Sequence, residues 1–466
     1  MLNNSASVFA AQQGCKLRLS ASTAKERIAK LKRLRSAIKA REQLLYEALR
    51  KDLRKNEFEA AVSEVIFIYG EINHAIRHLT GWMKPQRAGK TITNVFAKNR
   101  IYSQPKGVCL IISPWNYPFQ LLMSPLVSAI AAGNCAILKP SELSPATSAV
   151  MAKLIEDCFD REEVCCFEGG ADIASELLQL PFDHIFFTGS TTIGKVVMEA
   201  AAKNLASVTL ELGGKSPVVI HSSADLKKAA EKIAWGKLIN AGQTCIAPDY
   251  VLIPDHLLEI FTNHYISAVQ GMFCTGSGEP DFDLYAKIVS EKHFKRLCEL
   301  ITEATDKGAV LAYGGLADAK ASTVSPAVLL RPAPDSRLMQ EEIFGPLLPV
   351  VPYKNLTEAI ALINAKSKPL ALYIFSKDAA VTRQIIHDTS SGGICVNDVL
   401  VHISNPKLPF GGVGTSGMGS CHGHYGFKAF SHERAVVFQF GPNLTRLIYP
   451  PYRSKQWVLN WLRKLV

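Results

Sequence analysis

Several features are missing from this 466-residue chain, and each absence removes a class of protein. No uninterrupted apolar run reaches the roughly 18 residues that a bilayer-spanning helix requires. The opening residues, MLNNSASVFAAQQGCKLRLS, carry only a short apolar patch with no charged segment ahead of it, which argues against a secretory leader. No acidic residue precedes Glu26. Organelle-targeting leaders share that property, but a loose arm running into a basic helix is the simpler expectation. None of the eleven cysteines belongs to a C-x-x-C pair, and the chain is too long to need disulfide staples, so a reducing cytosol fits best. Most of them, such as Cys109, Cys135, Cys165 and Cys166, sit in apolar runs and should act as small buried hydrophobes. Internal repeats and low-complexity linkers are missing as well.

What is present points to an α/β protein. Hydrophobic residues form 48% of the composition, and at roughly 100–200 residues per domain the length suggests two or three domains. The net charge of +11 attracts anions such as nucleotide phosphates, acidic lipid or nucleic acid. The main basic run, KERIAKLKRLRSAIKARE, has aliphatics at helical spacing instead of interleaved aromatics, which predicts a helix with a solvated charged face and no nucleic-acid partner. It starts near Thr23, where Thr23 and Glu26 have capping-box spacing. A second helix runs through EFEAAVSEVIFIYGEINHAIRHL and is stopped by Gly81 and Pro85. TITNVFAKNRIYSQP then predicts a strand or hairpin outside the main sheets.

From Gly107 short apolar runs alternate with helical stretches: GVCLII, CAILKP, VCCFEG, HIFFTG and SVTLEL. Strands buried on both faces and joined by helices form a doubly wound parallel sheet, the usual bed for a dinucleotide. A second series, from SPVVI through YVLIP, GAVLAYGG, LPVVPY, LALYIFS and GGICVN, predicts a second α/β domain. Near the end RAVVFQF offers one more strand, which could pair with the region of residues 91–103.

Several strand ends carry residues suited to chemistry. In HIFFTGSTTIGK a strand ends at Gly189, and Gly194-Lys195 opens a helix whose N-terminus suits a phosphate; a plain strand-to-helix turn explains the spacing as well. Lys139 and Glu142, at the end of another strand, can take the hydroxyls of an adenosine ribose, the acid disfavouring a 2′-phosphate, or can be surface charge. Asn116, in the rigid turn PWNYPF, is an oxyanion donor or a turn former. Glu211 ends an apolar strand, where burial would raise its pKa toward that of a general base; bonding to backbone amides is the alternative. Cys245 follows Gly242 and Gln243, which break a helix; a reactive thiol there would need a helix N-terminus or backbone dipoles and access to a cleft. The glycine-rich PFGGVGTSGMGS reads as a flexible or tightly turned loop, not a phosphate cradle. His422, His424 and His432 lack ligand partners at zinc spacing and read as surface residues, and no metal is expected.

Taken in order, PWNYPF, LKPSE, FTGST, LELGGKSP, GQTC, EEIFGP and PFGGVGTSGMG resemble the aldehyde dehydrogenase superfamily over nearly the whole chain. GWMKP, GQTCIAPDY and SSGGICVND narrow the resemblance to the class 3 branch, which includes the fatty aldehyde dehydrogenases. The resemblance implies two doubly wound α/β domains plus a small β oligomerisation flap. The corresponding division is a dinucleotide-binding domain (1–84 and 104–210), a catalytic domain (211–405), a flap (85–103 and 430–445) and a C-terminal amphipathic helix (452–466). It also implies roles: Cys245 as nucleophile, Glu211 as general base, Asn116 with the Cys245 amide as oxyanion donors. Lys139 and Glu142 would meet the adenosine ribose, Gly189 and Ser190 the pyrophosphate, and Glu342 and Phe344 the nicotinamide ribose and ring. The cofactor would be NAD and also NADP, the assembly a homodimer, the compartment cytoplasmic, and the substrate a medium- or long-chain aliphatic or an aromatic aldehyde.

The tail YPPYRSKQWVLNWLRKLV resembles the segment before the membrane anchor of the fatty aldehyde enzymes, but no anchor follows. Trp457, Val458, Trp461, Leu462, Leu465 and Val466 fall on one helical face. That face could cap a partner's substrate tunnel, lie on an anionic membrane, or pack on its own subunit. A CoA-acylating relative would share the thiol but generally lacks a base at the position of Glu211. A catalytically silent scaffold would not need Cys245, Glu211 and Asn116 together.

Overall fold

The computed structural model describes residues 5–91, 94–275, 279–281, 284–442 and 444–464. The apolar runs form strands where burial is complete on both faces: every residue of Val108–Ile112 and of Cys135–Lys139 is buried. The first sheet has six strands, in the order Gly417–Met418, Ser207–Leu212, His184–Gly189, Val108–Ile112, Cys135–Lys139 and Val164–Cys166. All pairs are parallel except the first, so the carboxyl ends that carry Glu211, Gly189, Asn116 and Lys139 open on one side.

The second sheet has seven strands, ordered Val310–Tyr313, Ala327–Leu330, Leu347–Tyr353, Tyr250–Pro254, Pro217–Ile220, Ala371–Phe375 and Gly393–Val396. Ala327–Leu330 is the one sequence reading did not anticipate. It is short and pairs in parallel with Leu347–Tyr353. A third sheet stands apart: Ala97–Pro105 pairs antiparallel along its length with Ser431–Gln439, the pairing anticipated for RAVVFQF, with Gln86–Arg87 on its other side. Of the regions expected there, Ile92, Thr93 and Asn443 lie outside the described residues.

The basic run is the helix Ala24–Ala40, started by the capping box of Thr23 and Glu26. The next long helix is continuous through Glu57–Ala60, a widened π turn at Ala61–Val65, and Ile66–Trp82.

Two expectations need correction. The supposed loose arm is a helix, Ser5–Ser20, with Ser5, Val8, Phe9, Gln12, Cys15 and Leu19 buried against the first sheet. Two members of that stripe are polar, but Gln12 bonds the carbonyls of Ala136 at 3.2 Å and Arg161 at 3.4 Å, so its burial leaves the amide nitrogen satisfied. The glycine-rich segment is not merely a loop: Gly417–Met418 adds an antiparallel strand whose Gly417 sits opposite Glu211. Its glycines are required by close backbone approach, since a Cβ at Gly417 would lie 2.3 Å from the Leu210 carbonyl oxygen.

At the far end, Gln456–Arg463 is helical. Val458 is buried, whereas Trp457 and Trp461 stay 59% and 41% exposed, so packing on its own subunit covers only part of the apolar face. Leu465 and Val466 lie outside the described residues. Among the described residues no helix is long and apolar enough to cross a membrane.

The N-terminal helix is the element whose docking is easiest to test. Phe9 meets Phe182 edge-on at 5.0 Å, and Phe9→Ala should lower the unfolding free energy by about 3 kcal/mol. A change below about 0.5 kcal/mol in urea titration would mean the helix is not docked in solution.

Candidate active site

The segment before Cys245 is wound against the usual handedness. Asn240 and Ala241 have φ of 53° and 52°, and Gly242 follows at 75°. A residue other than glycine pays for this conformation, so its hold must come from outside. The Asn240 amide nitrogen donates to Glu59 Oε1 at 3.0 Å, and its side chain donates to the Asn116 carbonyl at 2.8 Å. Gln243 Nε2 donates to the carbonyls of Asn240 and Lys287, both at 3.0 Å, while its Oε1 accepts from Val289 N at 3.0 Å. Thr244 and Tyr117 share a hydroxyl hydrogen bond of 2.7 Å. Gly242 admits no side chain, because a Cβ would come within 2.3 Å of the Gly345 carbonyl oxygen.

No helix begins at Cys245, so of the two sources of thiolate character only backbone dipoles are at hand. Only the amides of Cys245 and Ile246 favour the thiolate. Burial acts the other way and, with the charges of Glu342 and Glu211, pushes the thiol up to about 12. At rest the sulfur therefore keeps its proton.

Glu211 is buried at its strand end, and neither carboxylate oxygen receives a hydrogen bond from nitrogen or oxygen among the described residues. Burial pushes its pKa up to about 8, with the neighbouring Cys421 thiol easing the shift. The backbone-bonded alternative for this residue does not apply. Glu342 is likewise pushed up to about 8 by burial, against a hydrogen bond from Gly214. A Cβ at Gly213 would strike Glu342 Oε2 at 2.0 Å, so the glycine pair of LELGGKSP lets this side chain lie across the turn. Lys215 fixes the Glu341–Phe344 segment: paired with Asp249, it donates to the carbonyls of Leu338 at 2.6 Å and Glu341 at 2.9 Å. Asp249 in turn accepts from Ile343 N at 2.9 Å.

Two cavities of about 240 Å³ meet at Thr188, Glu211, Leu121 and Cys245. One is bounded by Asn116, Gly189, Ser190, Glu342 and Phe344, so every residue expected near the reacting end of a dinucleotide lines a single cleft. Trp115, His293 and Arg296 also line it and were missed; the last two lie on the helix Glu291–Asp306, which no motif marks. Lys139 and Glu142 stand outside the cleft, joined at 3.1 Å at the end of the neighbouring strand. Ser190 caps the helix Thr191–Ala202, and Gly194 lets that helix approach the sheet, because a Cβ there would meet Leu212 at 2.6 Å. A close helix N-terminus, a glycine-lined turn and an ion pair at the adjacent strand end fit a dinucleotide.

The other cavity is a corridor lined almost wholly by apolar surface, with Phe67, Trp235, Ile239, Val401 and Phe410 along it. His422 belongs to this wall. It is buried, not superficial, and bonds Ser124 at 3.0 Å. His424 is half-buried against Trp82, and only His432 is exposed.

A thiol and a buried carboxyl without a cationic partner thus stand together where a glycine-lined cleft meets an apolar corridor. The model of the aldehyde dehydrogenase family matches residues 4–436, and the chain belongs to that family. It is an aldehyde dehydrogenase dependent on NAD or NADP. Aldehyde dehydrogenase family 3 member A2 of Mus musculus is 44% identical over 440 residues, covering 94% of this chain and 89% of that protein. The 4,4'-diaponeurosporen-aldehyde dehydrogenase of Staphylococcus aureus is 43% identical over 425 residues, covering 91% and 92%. The solved substrate-bound state of Staphylococcus aureus AldH superposes with a TM-score of 0.94 at 40% identity, covering 99% of this chain and all of that one.

The glycine in the left-handed turn gives a direct test. Gly242→Ala should cut the rate of Cys245 alkylation and turnover by about tenfold or more, through strain of roughly 1–3 kcal/mol and displacement of the sulfur. Wild-type kinetics in this variant would show that the turn does not set the thiol.

Proposed function

We propose that the protein oxidises hydrophobic aldehydes, medium- or long-chain aliphatic and aromatic, to carboxylic acids through a thioester on Cys245. The observation that carries this is the meeting of the apolar corridor with the cleft at Cys245 and Glu211. As sulfur attacks, the thiol proton passes to solvent in the cleft, a loss that burial and the charges of Glu342 and Glu211 oppose. Sulfur adds to the carbonyl carbon, and the oxygen that gains charge is met by the Cys245 amide and by Asn116. Asn116 Nδ2 uses one proton on the Gln243 carbonyl at 3.0 Å and has a second to give. When bound, NAD or NADP supplies the acceptor for the hydride that leaves the thiohemiacetal carbon. Glu211 then takes a proton from the water that attacks the thioester, freeing the acid and Cys245.

Gly189 and Ser190 would face the pyrophosphate, Lys139 and Glu142 the adenosine ribose, and Glu342 and Phe344 the nicotinamide side. Glu142 favours NAD, but it is about half exposed and can yield to a 2′-phosphate. The domain division given above is supported by the separation of the six-, seven- and three-stranded sheets. A homodimer through the flap is supported by the outer edge of Ser431–Gln439, which has no strand partner among the described residues. Trp457 and Trp461 support a second role for the last helix, on a partner's corridor or on lipid. The unpaired cysteines suit the cytosol.

Cys245→Ala should abolish turnover with folding intact, and Glu211→Gln should leave a stoichiometric burst of NADH with an acyl-enzyme visible by mass spectrometry. Steady-state rates near wild type in either variant would overturn the assignment. Glu211 serves as a base only when ionised, so hydrolysis of the thioester should speed up as pH rises through about 8. The Gln variant should lose that limb. Along a ladder of n-alkanals, kcat/KM should climb about fourfold per methylene, corresponding to about 0.8 kcal/mol each, until the corridor is full. A flat profile would remove the corridor from substrate binding.

A further inference from the structure

Three ionisable side chains lie beside the corridor and take no part in the chemistry above: Lys55, Glu64, and Glu59, whose carboxyl burial pushes up to about 7. Lys55 and Glu64 are fully buried and joined at 2.7 Å. Lys55 Nζ also donates to the Asn116 carbonyl at 2.9 Å and sits 3.9 Å above the Tyr117 ring. Glu64 Oε2 accepts from Phe119 N at 2.9 Å and Gln120 N at 3.1 Å, holding the start of the helix Pro118–Ala132. Glu59 Oε1 accepts from Asn240 N, the first amide of the left-handed turn. The two carboxylates therefore reach different loops from one short stretch of helix. That stretch also presents Val62 and Ser63 to the corridor.

Burying ions costs several kcal/mol, and apolar residues of similar volume usually stabilise a core as well or better. A cluster of this kind is therefore poorly explained by stability alone. Its contacts close a ring: Lys55 and the Asn240 side chain both hold the Asn116 carbonyl, and Asn116 Nδ2 bonds the Gln243 carbonyl within the turn that Glu59 secures. Asn116 and Cys245 must address one carbonyl group, and they come from loops more than a hundred positions apart. We propose that Glu59 is a positioning residue which, with Lys55 and Glu64, holds the Asn116 loop and the Cys245 turn in register. The proposal rests on the reading of Cys245 and Asn116 as reacting groups.

Two conservative variants separate geometry from charge balance. Glu59→Asp keeps the charge beside Lys55 but withdraws the oxygen from Asn240 N. Glu59→Gln keeps an oxygen at the original reach and loses the charge. If the role is geometric, Glu59→Asp should lower kcat by about tenfold or more, since displacements of about 1 Å can cost that much. Its aldehyde KM should stay within about twofold, and Glu59→Gln should retain kcat within about threefold of wild type.

The reverse ordering, kcat near wild type in both variants, or failure of both to fold would overturn the proposal and leave a purely structural ion cluster. Alkylation of Cys245 by iodoacetamide, without cofactor or aldehyde, supplies a readout independent of the reaction. It should slow in Glu59→Asp, and an unchanged rate there also overturns the proposal. Should the wild-type chain fail to oxidise aldehydes, the proposed reaction falls, while the alkylation rates still decide whether Glu59 positions the thiol turn.

Discussion

The site depends on keeping one turn, Asn240 to Gly242, coiled against the natural sense of an L-amino-acid chain. Such a conformation costs roughly 1–2 kcal/mol per non-glycine residue, so Asn240 and Ala241 relax unless neighbours oppose it. Opposition comes from three directions: a helix carboxylate, the loop after Val108–Ile112, and the segment at Lys287 and Val289. Each of these is anchored in a different layer of the molecule. The Cys245 turn thereby reports the assembly of both sheets, and a chain that has folded only one of them cannot hold it.

The same compactness accounts for the electrostatics. Removing water from the junction raises Cys245, Glu211 and Glu342 together, because none of the three is given a strong cationic partner at its head group. Two other buried carboxyls are treated differently. Glu64 is paired with Lys55, and Asp249 with Lys215, so their buried charges are matched. Leaving Glu211 and Glu342 without such a pair keeps both carboxyls near neutrality, where they can exchange protons near physiological pH.

Much of this was legible in the sequence, for a physical reason: fully buried parallel strands must be short apolar runs, and their ends are where polar residues reappear. Cys245, Glu211 and Asn116 were singled out because they stand at such ends or in glycine-marked turns, whereas Glu342 and Phe344 came only from the family resemblance; all five share one cleft. The helix Ser5–Ser20 escaped because Ser5 and Gln12 interrupt its buried stripe, and their satisfaction depends on distant partners such as Ala136. Ala327–Leu330 escaped because so short a run carries no period. His293 and Arg296 could not be placed at all, since their helix meets the cleft through tertiary packing alone. Lys55 and Glu64 carried no mark in the sequence, since nothing local distinguishes a solvated pair from one sealed in the core.

The greasy wall of the corridor has a consequence for traffic. In the proposed reaction a neutral aldehyde would partition into it from water, whereas the carboxylate formed at its inner end would carry a charge that such a wall solvates poorly. The passage would thus behave as a rectifier: entry downhill for the reactant, lingering uphill for the product, with chemical conversion itself supplying the eviction.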